Sequence, residues 1–312
     1  MNISDSLPLK DLDHVYKTLE WMEKNKIWPN GLRYLWTDAF GLVLLVSLFE
    51  ETEDKKYLDM AESLVKEVYR VLGRKRGIRI GEEPDRDGQY YHYLSVWLFA
   101  LWRLGQIIPK YAEMAVDLVK QTHSSFVIKG EGVIWKMKED LSEAYPGYGM
   151  GAIDQFEGYV VYRLIDGGTG VLEEEISEMK ELVEKSYKSV DVNQDLGAGM
   201  ILWISQFYPD ELWARHLREK SLKKLEKMWI SPQGYFCRST HYRNVKFAFT
   251  NYGISLGLQS VNKWPDRVNS LNEFFEKYKH GDEYDYNSIT HVMKCVSYFP
   301  GKFIKNKIRN VT

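Results

Sequence analysis

Hydrophobic and polar positions along the chain alternate between two kinds of helical pattern. One kind is amphipathic. Over 57–72, Leu58, Ala61, Leu64, Val65, Val68 and Leu72 recur at i, i+3 and i+4, while Glu62, Lys66, Glu67 and Arg70 take the other side, as in a helix with one buried face. Segments 14–22, 111–127, 176–190, 212–229 and 268–278 repeat it. The other kind is apolar or small on every side: 37–49, 90–104, 153–165, 196–207, 247–261 and 286–299. Such a helix must be covered on every face. The two kinds follow one another, outer then inner, six times, at a ragged spacing of about 50 residues that suits helical-hairpin repeats.

The pattern predicts an all-α fold, a closed (α/α)6 toroid of six helical hairpins with the buried helices as its inner ring. An open solenoid is the rival, but solenoids need polar capping repeats, and neither terminal hairpin is specially polar. No Pro/Ser/Gly-rich or like-charged stretch divides the chain, so residues 1–312 are expected to form a single domain.

Connections are lopsided. Inner-to-outer links are short, whereas three outer-to-inner links, 73–86, 128–147 and 230–246, are long. Each carries an alternating stretch, GIRIG (77–81), GVIWKM (132–137) or GYFCRST (234–240), expected to form a short β-arm. Loops beyond about 12–15 residues are usually functional or disordered, and these are too aromatic for disorder. All three feed the rim where the inner helices begin, so function is expected there.

Composition narrows the partners. With 42 basic and 44 acidic residues the net charge is -2, which offers no field for nucleic acid. The most apolar run, 40–49, is too short to span a membrane. MNISDSLPLKDLD at the start lacks a basic-then-apolar signal pattern, and two cysteines do not make a disulfide framework, so a cytoplasmic location is expected. The outlier is 21 Tyr and 10 Trp, side chains with an apolar face and a polar handle that suit sugar rings and large cores alike.

Every inner helix opens on polar groups: Thr37 and Asp38; Asp87 and Gln89; Asp154, Gln155 and Glu157; Asp195; Thr250 and Asn251; Asp282, Glu283 and Asp285. Singly these are ordinary N-caps and dipole partners. Six helix starts converging on one axis, however, would gather their carboxylates in one funnel. Asp154 and Glu157 stand at i, i+3 and share a helix face. Two adjacent carboxylates push their pKa values apart, giving one acid and one base. His92 either reaches the same space or is a satisfied core histidine. Glu283, Asn287, Thr290, His291 and Lys294 form a polar stripe, either a structural hydrogen-bond network or a site wall.

Basic residues at the rim (Arg74, Lys75, Arg76, Arg79, Lys129, Lys136, Arg238, Arg243 and Lys246) suit an anionic substrate or simply solvated loops. Cys237 with His241, and His291 with Cys295, have zinc-ligand spacing, but nothing sets the two pairs side by side. No metal and no cofactor are expected. The chain has no Walker A sequence, no GxGxxG opening a βαβ unit and no HExxH.

WTDAFG (36–41), RIG (79–81) with DGQYYHYLSVWLFAL (87–101), FAFTNYGISLGLQSV (247–261) and GDEYDYNSITHVMKC (281–295) resemble a poorly characterised subgroup of the six-hairpin glycosidase superfamily. The resemblance implies an (α/α)6 toroid and, often, hydrolysis of glycosidic bonds; the fold is also similar to that of N-acylglucosamine epimerases and some polysaccharide lyases. Unsaturated glucuronyl hydrolases of this superfamily place an aspartate general acid at the start of an inner helix, and Asp154 in GAIDQFEGY best matches that position.

A carbohydrate substrate is therefore expected. As a glycoside hydrolase the chain would use Asp154 as acid and Asp38, Asp87 or Glu283 as base or charge stabiliser. Trp36, Tyr90 and Tyr148 would stack on sugar faces, and Arg79, Gln89, His92 and Asn251 would bond ring substituents. Glu157, Asn287 and His291 complete the expected binding set. The alternatives are a sugar epimerase or isomerase pairing His92 with His291, and a non-catalytic carbohydrate-binding scaffold.

Overall fold

A computed structural model of the protein describes residues 6–238 and 248–305; His241, Arg243 and Lys246 lie outside the described residues. Twelve α-helices among those residues occupy the twelve predicted segments. Six are outer: α1 (Leu12–Lys24), α3 (Lys55–Leu72), α5 (Lys110–Phe126), α7 (Glu173–Ser186), α9 (Leu212–Met228) and α11 (Pro265–Lys277). Six are inner: α2 (Leu35–Thr52), α4 (Tyr91–Gly105), α6 (Asp154–Asp166), α8 (Asp195–Ser205), α10 (Ala248–Ser260) and α12 (Ser288–Tyr298). Local chemistry sets several ends. Asp11 and Asp54 accept backbone N–H bonds at the starts of α1 and α3, Pro265 begins α11, and Gly167 stops α6 at φ 57°, a left-handed conformation that glycine adopts at no steric cost.

Each inner helix packs on the next, α2 on α4, then α6, α8, α10 and α12, and α12 packs back on α2. The ring is closed. The hairpins, however, run inner then outer: α2 packs on α3, α4 on α5, and so on to α10 on α11. That order leaves α12 to take its main outer partner from the far end of the sequence, α1. One contact is unusually close. A Cβ on Gly257 would lie 2.2 Å from the Gly199 carbonyl oxygen, and one on Gly199 would lie 2.5 Å from that of Gly253, so α8 and α10 approach backbone to backbone. GISLG, at 253–257, spells the nucleophile-elbow pattern GxSxG. Here it is helical, with Ser255 fully buried and bonded to Ser297, and it forms no strand-to-helix elbow.

The axis is filled. Phe303 is fully buried and packs against Phe40 of α2, Phe99 of α4 and Trp203 of α8. Its carbonyl accepts bonds from Trp203 and Gln206.

The long loops carry three small antiparallel ladders. Strand β1 (Gln89–Tyr90) pairs with β4 (Lys136–Met137), β2 (Val127–Ile128) with β3 (Gly132–Val133), and β5 (Trp229–Ile230) with β6 (Tyr235–Phe236). The expected arm at 77–81 is reduced to isolated bridges, Ile78 to Gly73 and Gly81 to Tyr34. Its other backbone groups bond to scattered loop backbone, Arg79 N–H to the Leu72 carbonyl and Ile80 N–H to that of Gly88, and Ile78 N–H goes to the Gln89 amide oxygen. No helix among the described residues is long and apolar enough to cross a membrane.

Candidate active site

The first two turns of α4 and of α6 face each other at the rim. His92 projects from α4, and Asp154 and Glu157 from α6. His92 Nδ1 lies 2.7 Å from Glu157 Oε2, which also accepts a 2.9 Å bond from Ser95, one turn along α4. Glu157 is fully buried and Asp154 2% exposed, while the His92 side chain keeps 14% exposure. His92 Nε2 has no hydrogen-bond partner among the described residues.

Two carboxylate oxygens here, Asp154 Oδ1 and Glu157 Oε1, are buried without a hydrogen-bond partner among the described residues. Burial raises the Asp154 carboxyl to about 7, and the negative charge of Glu157 adds to the effect; a carboxyl held this way keeps its proton near neutrality. His92 is driven downward by burial, but the charge and hydrogen bond of Glu157 outweigh this and leave it above its ordinary value. The pocket that seats Asp154 requires glycine at 151, where a Cβ would lie 1.5 Å from Asp154 Oδ2. One donor atom from each of His92, Asp154 and Glu157 lies within 4.8 Å of the others, so this trio also has the makings of a cation ligand set.

An aromatic series runs from the cluster to the rim. Trp36 lies 4.6 Å from the His92 ring and 5.2 Å from Tyr93, and Tyr93 lies 5.1 Å from Tyr90. Tyr90 stacks in parallel on Trp135 at 5.4 Å, and Trp135 lies 5.3 Å from Tyr148. The ladder of β1 with β4 brings Tyr90 and Lys136 side by side. The buried Lys136 ammonium sits 3.8 Å from the Tyr145 ring centre and pairs with Asp87 at 3.2 Å.

The other predicted site residues do not take the roles expected of them. Asp38 is fully buried and bonded to Arg33 and Trp28 at 3.0 Å each, an internal ion pair. Asp87 is committed to Lys136 and to the Tyr145 hydroxyl. Glu283 stands exposed in a 3-10 turn, Glu283–Tyr286, ahead of α12. The predicted stripe is therefore broken before Asn287, which caps α12. Gln89 spends its amide on Ile78, Arg76 and Glu139, and Asn251 bonds both backbone groups of Phe236. Arg79 pairs with Glu139 at 2.8 Å. Trp36 is buried, its indole N–H on Met293, so it backs His92 and offers no open face. His291 turns away from the cluster to lie 4.5 Å from Trp21 of the outer helix α1.

The structure thus unites Asp154, Glu157, His92 and Trp36, with Tyr90 and Tyr148 at the outer end. Sequence reasoning did not single out Ser95, Tyr93 or Trp135. Ser95 stands one turn from His92, and Trp135 sits in an alternating arm beside Tyr90, which were the available signals.

No family profile matches the sequence, and no curated protein sequence matches it. Solved structures do. A family 76 α-mannanase from Bacteroides thetaiotaomicron is similar at TM-score 0.66 and 12% identity, over 92% of this chain and 95% of that one. A D-mannose isomerase is similar at 0.61 and 13%, over 95% and 99%. Cellobiose 2-epimerase from Bacillus thermoamylovorans B4167 is similar at 0.57 and 10%, over 92% and 87%. The chain has the (α/α)6 toroid fold of these solved structures.

Proposed function

We propose that the protein is a sugar-transforming enzyme that works by proton transfer, an aldose–ketose isomerase with His92 as its acid–base residue. One observation carries the reading. Of the three ionisable groups in the cluster, His92 is the one with an exposed edge; a buried carboxylate holds its Nδ1, and its Nε2 remains for a substrate. That is the arrangement a general base requires, with a second group fixing tautomer and orientation.

In the first step, His92 Nε2 takes the proton from the carbon beside the open-chain carbonyl. The C–H electron pair forms the carbon–carbon double bond, and the carbonyl pair moves to oxygen, giving an enediolate. His92 then returns the proton to the neighbouring carbon, and the hydroxyl proton passes between the two oxygens. No net oxidation occurs. Glu157 stabilises the imidazolium in between. Asp154, raised to about 7, matters because while it holds its proton only one carboxylate charge acts on His92, which leaves the imidazole freer to cycle. A single acid–base group serves a shift on one face of the substrate. Epimerisation needs a second group on the opposite face, and His291 lies against α1 instead.

Hydrolysis is the second reading, favoured by the carboxyl of Asp154, raised to about 7 beside another acid at a helix start, as a general acid requires. Against it, Asp38 and Asp87 are committed to Arg33 and Lys136. An inactive variant of the α-1,6-mannanase from Salegentibacter sp. HEL1_6 carries substitutions at two consecutive aspartates, and this chain has no two consecutive aspartates.

Incubating the protein with aldoses and with α-linked mannooligosaccharides in D2O, followed by NMR, separates the readings. Isomerisation gives a ketose carrying solvent deuterium. Release of a reducing sugar without carbon-bound deuterium would overturn the proton-transfer reading in favour of hydrolysis.

A further inference from the structure

A cavity of 650 Å3 lies at the seam where α1 meets α12, away from the His92 cluster. Its size suits a small ligand. Lys17 and Trp21 of α1 form one wall, and Lys279, Tyr286, His291 and Lys294 form the other.

Charge is unevenly spent inside it. Glu276 pairs with His14 at 3.1 Å and with Lys294 at 2.5 Å. Its carboxyl is held down to about 2 by the His14 bond and by Lys294, so its charge is permanent and already matched. Asp285 accepts backbone N–H bonds from His280 and Gly281. Lys17 and Lys279, both exposed, have no ion-pair partner within 4 Å among the described residues; counted with Lys294, Glu276 and Asp285, they leave the lining with one net positive charge.

Its apolar element is a ring face. Tyr286 is 63% exposed and stacks on Trp21 at 6.0 Å. An exposed tyrosine backed by a tryptophan beside two free ammonium groups suits a ligand with one flat apolar side and one anionic end. His291 adds a hydrogen-bond selector. Its Nε2 lies 2.8 Å from the Asp285 carbonyl and so carries the proton, which leaves Nδ1 as an acceptor. Burial pushes the imidazole down to about 4, so it stays neutral and accepts from a donor such as a sugar hydroxyl.

We propose that this seam is a second ligand site, for an anionic monosaccharide: its phosphate or carboxylate lies between Lys17 and Lys279, its ring lies on Tyr286, and a hydroxyl donates to His291. The ligand would bridge α1 to α12 and so act on closure of the ring. This site is independent of the proton-transfer reading.

Titration calorimetry with glucose 6-phosphate and with glucuronate, against glucose and AMP, tests it and separates phosphate from carboxylate as the anionic end. At least one acid sugar should bind, more weakly as salt rises, and glucose should not. Binding should weaken about tenfold or more in the double variant Lys17→Ala/Lys279→Ala and in Tyr286→Ala, both changes of exposed side chains. It should be unchanged in His92→Gln. The proposal is overturned if neither acid sugar binds at about 10 mM, if glucose or AMP binds as tightly, or if affinity survives the double lysine variant. It is equally overturned if affinity disappears in His92→Gln, which would place the ligand in the central cluster.

Discussion

Glu157 Oε2 lies 2.7 Å from His92 Nδ1, joining the first two turns of neighbouring inner helices across the rim. The bond orients the ring and biases its protonation, so its removal has a specific signature. In Glu157→Gln the imidazole should lose the influence that raises it. The acidic limb of a pH–rate profile, and the His92 titration followed by NMR, should both move toward lower pH. Turnover should fall about 10^2-fold or more while the protein stays folded. An unmoved titration would show that the pair does not act as a unit.

Asp154 gives a stability test that needs no substrate. Its folded carboxyl stands near 7 against an ordinary 3.8, so the folded state holds the proton more tightly than the unfolded chain. The associated stability is complete below about pH 4 and disappears as pH rises through 7. Asp154→Asn cannot ionise and should escape that loss. The variant should be more stable than the parent at pH 8, by on the order of 4 kcal/mol, and should gain little at pH 4. A variant that is less stable at pH 8 would contradict a carboxyl raised by burial.

Asp38 is expected to matter for folding. It shares a fully buried ion pair with Arg33, and Arg33→Leu strands the carboxylate in the core. A loss of about 3–5 kcal/mol is expected, measured by urea unfolding. If Arg33→Leu proved stable but inactive, the pair would belong to the site instead.

Trp135 is a rim side chain, 38% exposed and stacked on Tyr90. Trp135→Ala should raise KM for the sugar with little change in kcat or melting temperature. A collapse of kcat alone would mean that it acts on the chemistry and not on substrate capture.

Gly257 meets the Gly199 backbone across α8 and α10. A methyl group there has no flexible side chain to displace, so Gly257→Ala should cost about 1–3 kcal/mol by overpacking, visible in thermal melts.

The ring was legible in the sequence because it rests on periodicity: helices apolar on all sides can be satisfied only by a covered inner layer. The pairing order was less so, since alternation looks the same whether a hairpin is read outer-to-inner or inner-to-outer. For the site, Asp154 and Glu157 were legible as an i, i+3 pair, because spacing on one helix fixes a shared face. The partnership of Glu157 with His92 crosses two helices separated by a long loop, and no local rule reports it. Asp38 misled for a related reason. An aspartate at an inner-helix start reads as a funnel acid until Arg33, five residues earlier, is seen to fold back onto it. Gln89 and Asn251 misled similarly, because a polar side chain at a helix start serves loop backbone as readily as ligand.

Closure of the ring by α1 on α12 bears on the order of assembly in time. Of the twelve described helices α1 is made before the others, and it finds its inner partner only when residues 288–298 have followed. Until then the sides of α1, α2 and α10 that meet α12 have no cover. Nascent chains halted before α12 should therefore be protease-sensitive and dependent on holding factors, with compaction arriving in one late step and not hairpin by hairpin.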